Sequence, residues 1–174
     1  MTRPPARGRS RRRSGWLASA GLLVAACYGF SSGGGFPPEL RSVAVLPFDN
    51  LTPEPVLTQE VSEAVRLAVE NRLGLRVAAE SQADIVVKGR IDRYEPDLPV
   101  VVQGNDRGQF AVTQRLVQLT VSVQMINQRT NRPLWERSGV VLNGEYAPGQ
   151  EAQGRRRALE LLTNTIVEGA QSQW

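Results

Sequence analysis

Residues 117–125 read Val-Gln-Leu-Thr-Val-Ser-Val-Gln-Met. The odd positions Val117, Leu119, Val121, Val123 and Met125 are apolar, and the even positions Gln118, Thr120, Ser122 and Gln124 are polar. Successive side chains of a strand point to opposite faces, so this alternation predicts a strand with one face in a core and the other in water. The strand signal extends from Gln109 to Asn127. Downstream, Thr130-Asn131 within Gln128–Arg132 supplies turn chemistry, and Leu134 to Tyr146 is predicted to return as a second strand. Upstream, Asp84 to Tyr94 alternates in the same way, with Ile85, Val87 and Ile91 on one face and Lys88, Arg90 and Asp92 on the other. Between them Glu95 to Gly108, with its prolines, glycines and the apolar patch Val100–Val102, is predicted as a long loop.

Further toward the N-terminus, Ser42 to Phe48 (SVAVLPF) is a valine-rich run bounded by proline and Asp49-Asn50, predicted as a buried strand. Thr52-Pro53 resembles an N-cap followed by proline at the first helical position. From Leu57 to Leu73 the apolar residues Leu57, Val61, Ala64, Val65, Ala68 and Val69 recur at three- and four-residue steps, the pattern of an amphipathic helix stopped by Gly74. Leu75 to Ala79 follows as a short strand, and Gln150 to Gln171 forms a second amphipathic helix through Ala158, Leu162, Thr165, Ile166 and Gly169. The order β, α, β, β, β, β, α predicts an α+β two-layer sandwich: a mixed sheet with both helices on its apolar face and a polar opposite face.

The first 26 residues read differently. Arg3, Arg7, Arg9, Arg11, Arg12 and Arg13 precede the apolar run Trp16–Ala26, which ends in Val24-Ala25-Ala26-Cys27, the only cysteine of the chain. A basic segment, a short apolar run and small residues before a cut are the parts of a secretory signal, and the run falls short of the ~20 residues a spanning helix needs. The small residues lead directly into a thiol, as in a bacterial lipobox. Residues 1–26 are therefore expected to be a removed lipoprotein signal, with Cys27 acylated as the first mature residue. Tyr28, in place of an aspartate, points to the outer membrane. Residues 27–40, with Ser31-Ser32-Gly33-Gly34-Gly35 and Pro37-Pro38, are expected to be a flexible tether ahead of a single domain at 41–174.

Removing residues 1–26 also removes six arginines and no acid, leaving 15 basic against 17 acidic residues. The basic character of the whole chain belongs to the signal, and nucleic acid loses its compositional argument as a partner. The chain contains no histidine, which excludes Ser/His/Asp, Cys/His and His-based zinc arrangements. Paired carboxylates are conceivable, for example Asp92 with Glu95 or Asp97, but these lie at a strand end in a chain rich in acids. No phosphate-binding loop is present, and no metal or cofactor is expected. The sequence reads as a binding or structural protein, not an enzyme.

Four segments in order resemble the LPS-assembly lipoprotein LptE family. They are Cys27-Tyr28-Gly29-Phe30; Ser42-Val43-Ala44-Val45 running into Pro47-Phe48-Asp49-Asn50-Leu51-Thr52-Pro53-Glu54; Ala83-Asp84-Ile85-Val86-Val87-Lys88-Gly89-Arg90-Ile91; and the long strand ending in Thr130-Asn131-Arg132-Pro133-Leu134-Trp135. The resemblance implies a lipid-anchored outer-membrane protein that sits inside the LptD β-barrel, assists its assembly and helps deliver lipopolysaccharide to the outer leaflet. Phosphates and acidic sugars of lipopolysaccharide call for guanidinium groups. Candidates for contact with lipopolysaccharide or the barrel wall are Arg107, Arg115 and the run Arg155-Arg156-Arg157, with Arg115 alternatively a salt-bridged strand-end residue. The VAVLPFDNLT segment is also similar to the opening of CsgG-type secretion lipoproteins and of lipoproteins that activate peptidoglycan synthases. The short spacer after Cys27 argues against the latter, and the lack of paired spanning strands argues against the former.

Overall fold

In a computed structural model of the chain, residues 36–104 and 110–172 are described, without side-chain detail at 101–103 and 110–113. The signal, Cys27 and Arg107 lie outside the described residues. The elements are β1 (Ser42–Val45), β2 (Asp49–Asn50), α1 (Val56–Asn71), β3 (Arg76–Val77), a 3₁₀ turn (Glu80–Gln82), β4 (Ile85–Gly104), β5 (Phe110–Asn127), β6 (Arg132–Tyr146) and α2 (Glu151–Gln171). They form the expected α+β arrangement, one open mixed sheet with two helices. Strand order is β3-β1-β4-β5-β6, with β2 beside β4 past the end of β1. β1 runs parallel to β3 and β4, while β4–β5 and β5–β6 are antiparallel.

The alternation of β5 appears directly in its burial. Val117, Leu119, Val121, Val123 and Met125 are all buried, and the even positions between them are partly exposed. Val43, Ile85, Val87 and Ile91 join them on the same face. The helices cover this face with Leu57, Val61, Val65 and Val69 from α1 and Ala158, Leu162 and Ile166 from α2, making one continuous core. Each fully buried Val, Leu or Ile contributes roughly 1.5–3 kcal/mol relative to exposure, so the two stripes hold the layers together.

Glycines set how closely the layers approach. A Cβ on Gly89 would lie 2.2 Å from the Phe48 ring, so the glycine on β4 leaves the room that this buried phenylalanine fills. At Gly144 of β6 a Cβ would lie 1.8 Å from the Gly154 carbonyl oxygen, and at Gly169 it would lie 2.2 Å from Trp135 Nε1. The α2 backbone therefore rests on the sheet at one end and on the Trp135 indole at the other.

Four expectations need correction. The segment predicted as a loop from Glu95 onward is strand as far as Gly104, paired to β5 by Leu98↔Leu116, Val102↔Val112 and Gly104↔Phe110. Past Asn50↔Ile91 the other side of β4 has no neighbouring strand among the described residues, and register shifts between Glu95 and Val102 break the ladder. An open edge and bulges are where a sheet tolerates Pro96 and Pro99. Since β6 stops at Tyr146↔Arg115, Val101–Gly104 and Phe110–Gln114 continue beyond the sheet as a two-stranded ribbon.

Second, Thr52 does not cap α1. Its hydroxyl accepts from the Glu54 N–H at 3.3 Å, closing a turn, and the helix opens three residues later behind Pro55, whose fixed φ suits a helical start. Third, the tether ends sooner than Leu40, because Leu40 is buried and Phe36 packs against the core. Fourth, the face away from the helices is not wholly polar. Ala44 and Val86 pack there with Ala83, Leu46 and Ala78, because β1 and the start of β4 lie inside the sheet and the 78–83 segment covers them.

Candidate functional site

The helix-free face of the sheet carries cross-strand rows of polar groups. Lys88 pairs with Gln124 and then Glu136, Arg90 lies opposite Ser122, and Glu95, Gln118 and Asn143 form a third row. Ser122 organises the middle of this surface. Its hydroxyl donates to Asp92 Oδ2 at 2.6 Å and accepts the Gly139 N–H at 3.0 Å. Gly139, at φ +64°, sits in a β6 bulge opposite Ser122, and a bulge with a left-handed glycine bends the strand there. Burial disfavours the Asp92 carboxylate, but hydrogen bonds from Ser122 and Arg90 outweigh it and hold its pKa below the usual range. An open depression of about 410 Å³ lies over Lys88, Arg90, Ser122, Gln124 and Glu136. It is wide and mixed in charge, which suits a wetted contact surface more than a pocket enclosing a small ligand.

The carboxylates considered as an acid/base pair are not brought together. Asp92 takes Arg90 at 2.6 Å, Glu95 takes Arg93 at 3.4 Å, and Asp97 takes Arg115. Among the described residues no group of three acidic or thiol side chains is placed to hold a metal.

The candidate arginines separate by environment. Arg115 stands at the base of the ribbon, ion-paired to Asp97, and its hydrogen bond lowers the pKa of that carboxyl. The buried Tyr146 hydroxyl donates to the Pro96 carbonyl at 2.6 Å and meets Asp97 at 3.1 Å, so the irregular stretch of β4 is pinned from β6. Burial first, and the hydrogen bond to Asp97 second, push the Tyr146 pKa up.

Arg155 is enclosed by partners: Glu60 at 2.9 Å, Glu151 at 3.2 Å and the Tyr94 hydroxyl at 3.3 Å. It joins α1, α2 and β4, and burial pushes Tyr94 up to about 12. Arg157 donates to the Glu145 carbonyl at 2.5 Å. Arg156 is exposed and makes no ion pair among the described residues. Of the described candidates, Arg156 and Arg157 are thus without an ion pair, and Arg157 alone of the two gives its guanidinium to a neutral carbonyl. No sequence signal separated Arg155 from Arg156, because that difference depends on which flank of α2 faces Glu60 across a gap of 95 residues.

No known family model matches the chain, and no curated protein matches it. Solved structures align with most of its length. A Xanthomonas campestris protein assigned to family DUF330 aligns with 79% of this chain and 90% of its own, at 14% identity and a TM-score of 0.52. A hypothetical protein from Chlamydia trachomatis aligns with 76% of this chain and 99% of its own, at 12% identity and a TM-score of 0.48. A minor lipoprotein from Acinetobacter baumannii aligns with 77% of this chain and 94% of its own, at 14% identity and a TM-score of 0.47. At 14% identity the likeness to the Xanthomonas campestris protein is one of fold alone.

Proposed function

We propose that the chain is a lipoprotein, acylated at Cys27 and held at the periplasmic face of the outer membrane, that partners an LptD-like β-barrel in carrying lipopolysaccharide to the outer leaflet. The observation that carries this reading is that the family-like segments interlock in the fold. Phe48 fills the space left by Gly89, and Asp84 receives the Ser42 hydroxyl at 2.7 Å. Asn50 donates to the Glu54 carbonyl at 2.8 Å while its side-chain oxygen accepts from Thr52 at 2.9 Å, so the DNLTPE motif is one closed turn. Residues that recur together in a family for structural reasons are expected to make such mutual contacts.

A helix-covered sheet with a hydrated opposite face also suits the lumen of a large barrel, whose inward side chains are polar. Among the described residues no helix is long and apolar enough to cross a membrane, so attachment in this reading rests on acylated Cys27, and more than one acyl chain is needed for stable anchoring. Depleting the protein is expected to lower both surface lipopolysaccharide and the amount of folded, heat-modifiable barrel. Unchanged levels of both would overturn the proposal, and loss of a secretion product or of peptidoglycan synthesis instead would favour the other lipoprotein types.

A further inference from the structure

The open sides of the sheet differ in how they receive an added strand. β3, at one end, is two residues long, and the open stretch of β4 carries Pro96, Pro99 and register shifts. Short strands, prolines and bulges all hinder strand addition. β6, at the other end, has no neighbour on its outer side among the described residues. Its bulge at Gly139 interrupts it, but from Val140 to Tyr146 it runs in unbroken register with Val121 to Arg115 and contains no proline. Arg157 of α2 reaches the Glu145 carbonyl, which is therefore turned away from β5. Alternate residues of a strand point their N–H and C=O groups to the same side, so Val141 and Asn143 also turn theirs outward.

Apolar and charged side chains flank this rim. On the helix-free face Val141, opposite Thr120, is 54% exposed, and Glu145 lies further along the same row. On the helix side, Arg155 turns toward Glu60 of α1 while Arg157 turns toward β6. Leu161 follows Arg157 by one helical turn on the same flank and is 44% exposed. Arg137, opposite the buried Val123, adds a second exposed guanidinium on the helix side, and neither it nor Arg157 has an ion pair among the described residues. The acids of α2 lie elsewhere: Glu160 stands one turn after Arg156 on the outward side, and Glu168 adjoins Gly169, which rests on Trp135 beyond the bulge. The rim is thus basic on the helix side and acidic on the other, with an exposed apolar side chain on each.

We propose that the Val140–Tyr146 rim takes an extended segment of the barrel partner as an additional strand, with an acidic side chain toward Arg157 and a basic one toward Glu145. Strand addition supplies main-chain hydrogen bonds for affinity and alternating side chains for specificity, and it also hides Val141 and Leu161 from water. Charge selects this occupant over a second copy of the chain, because edge-to-edge addition of a copy keeps like faces together and brings the two Arg157 side chains to the same flank. A barrel wall is closed and has no open edge, so the segment comes from a turn or loop outside the wall strands. The inference rests on the barrel reading, and the two fail in different ways.

The probe is a photo-crosslinking residue placed at Val141 or at Leu161 of the tagged full-length chain in its own cells. These positions lie on opposite flanks, and both are expected to trap one short segment of the barrel outside its wall strands. Asn143→Pro removes an outward N–H without touching the β5 ladder and should lower the recovered barrel about 5-fold, whereas Asn143→Ala should change it less than about 2-fold. Circular dichroism checks the fold of both variants, and the traps use chains with the backbone of the rim intact, so they decide the question even where the proline variant does not fold. Recovery of the barrel with traps in wall strands, in this chain itself or in nothing would overturn strand addition and leave the barrel reading intact. Equal recovery by folded Asn143→Pro and Asn143→Ala would do the same. Absence of a barrel from every preparation would overturn both.

Discussion

Asp84 is the carboxylate on which the start of the sheet depends. Its Oδ2 accepts the Ser42 hydroxyl at 2.7 Å and the N–H groups of Arg41 and Ser42 at 3.1 Å each, and its Oδ1 takes Arg129 at 2.7 Å. The Ser42 hydroxyl, followed by the backbone donors and Arg129, lowers its pKa from 3.8 to about 2. A shift of that size corresponds to at most about 2.5 kcal/mol. The side chain is 17% exposed, and solvent screening leaves about 1–2 kcal/mol. Asp84→Asn keeps an acceptor for Ser42 but turns an amide toward Arg129, so it should cost about 2 kcal/mol, or roughly 6–10 °C in Tm for a domain of this size. Because the folded pKa is depressed, the stabilisation is present above the unfolded value near 4 and is lost as pH falls through about 2. Urea unfolding of wild type and Asp84→Asn followed by circular dichroism should therefore show a gap at pH 6 that closes by pH 2. Equal midpoints at pH 6, or a gap that persists at pH 2, would refute the reasoning.

Gly144→Ala places a methyl group against the Gly154 backbone and should destabilise the domain by about 3 kcal/mol, visible in a thermal melt. Gly169→Ala meets the Trp135 ring rather than backbone, so the indole can shift and the cost should be smaller, about 1–2 kcal/mol in the same assay. Arg155→Ala removes the ties to Glu60, Tyr94 and Glu151. It should lower stability by about 1–2 kcal/mol, whereas Arg156→Ala should leave the urea midpoint unchanged.

The alternation in 117–125 was sufficient to place β5 and its buried face, because a period of two over nine residues has one structural solution when one side is apolar. The helix stripes were legible for the same reason. The length of β4 was not, since Pro96 and Pro99 read as loop signals unless the open edge beside them is known. Nor was the role of the glycines. Gly89, Gly144 and Gly169 are set by what packs on them, Phe48, Gly154 and Trp135, and each of those partners lies at least ten residues away in sequence. Among the candidate arginines the sequence showed charge but not commitment, which the distances to Asp97, Glu60 and Glu151 supply.

The most direct test of the account is affinity purification of the tagged full-length protein from the membranes of its own cells in mild detergent. The account predicts that one large β-barrel is recovered in stoichiometric amount. Recovery of a peptidoglycan synthase alone, or of a ring of this chain without a barrel, would contradict it.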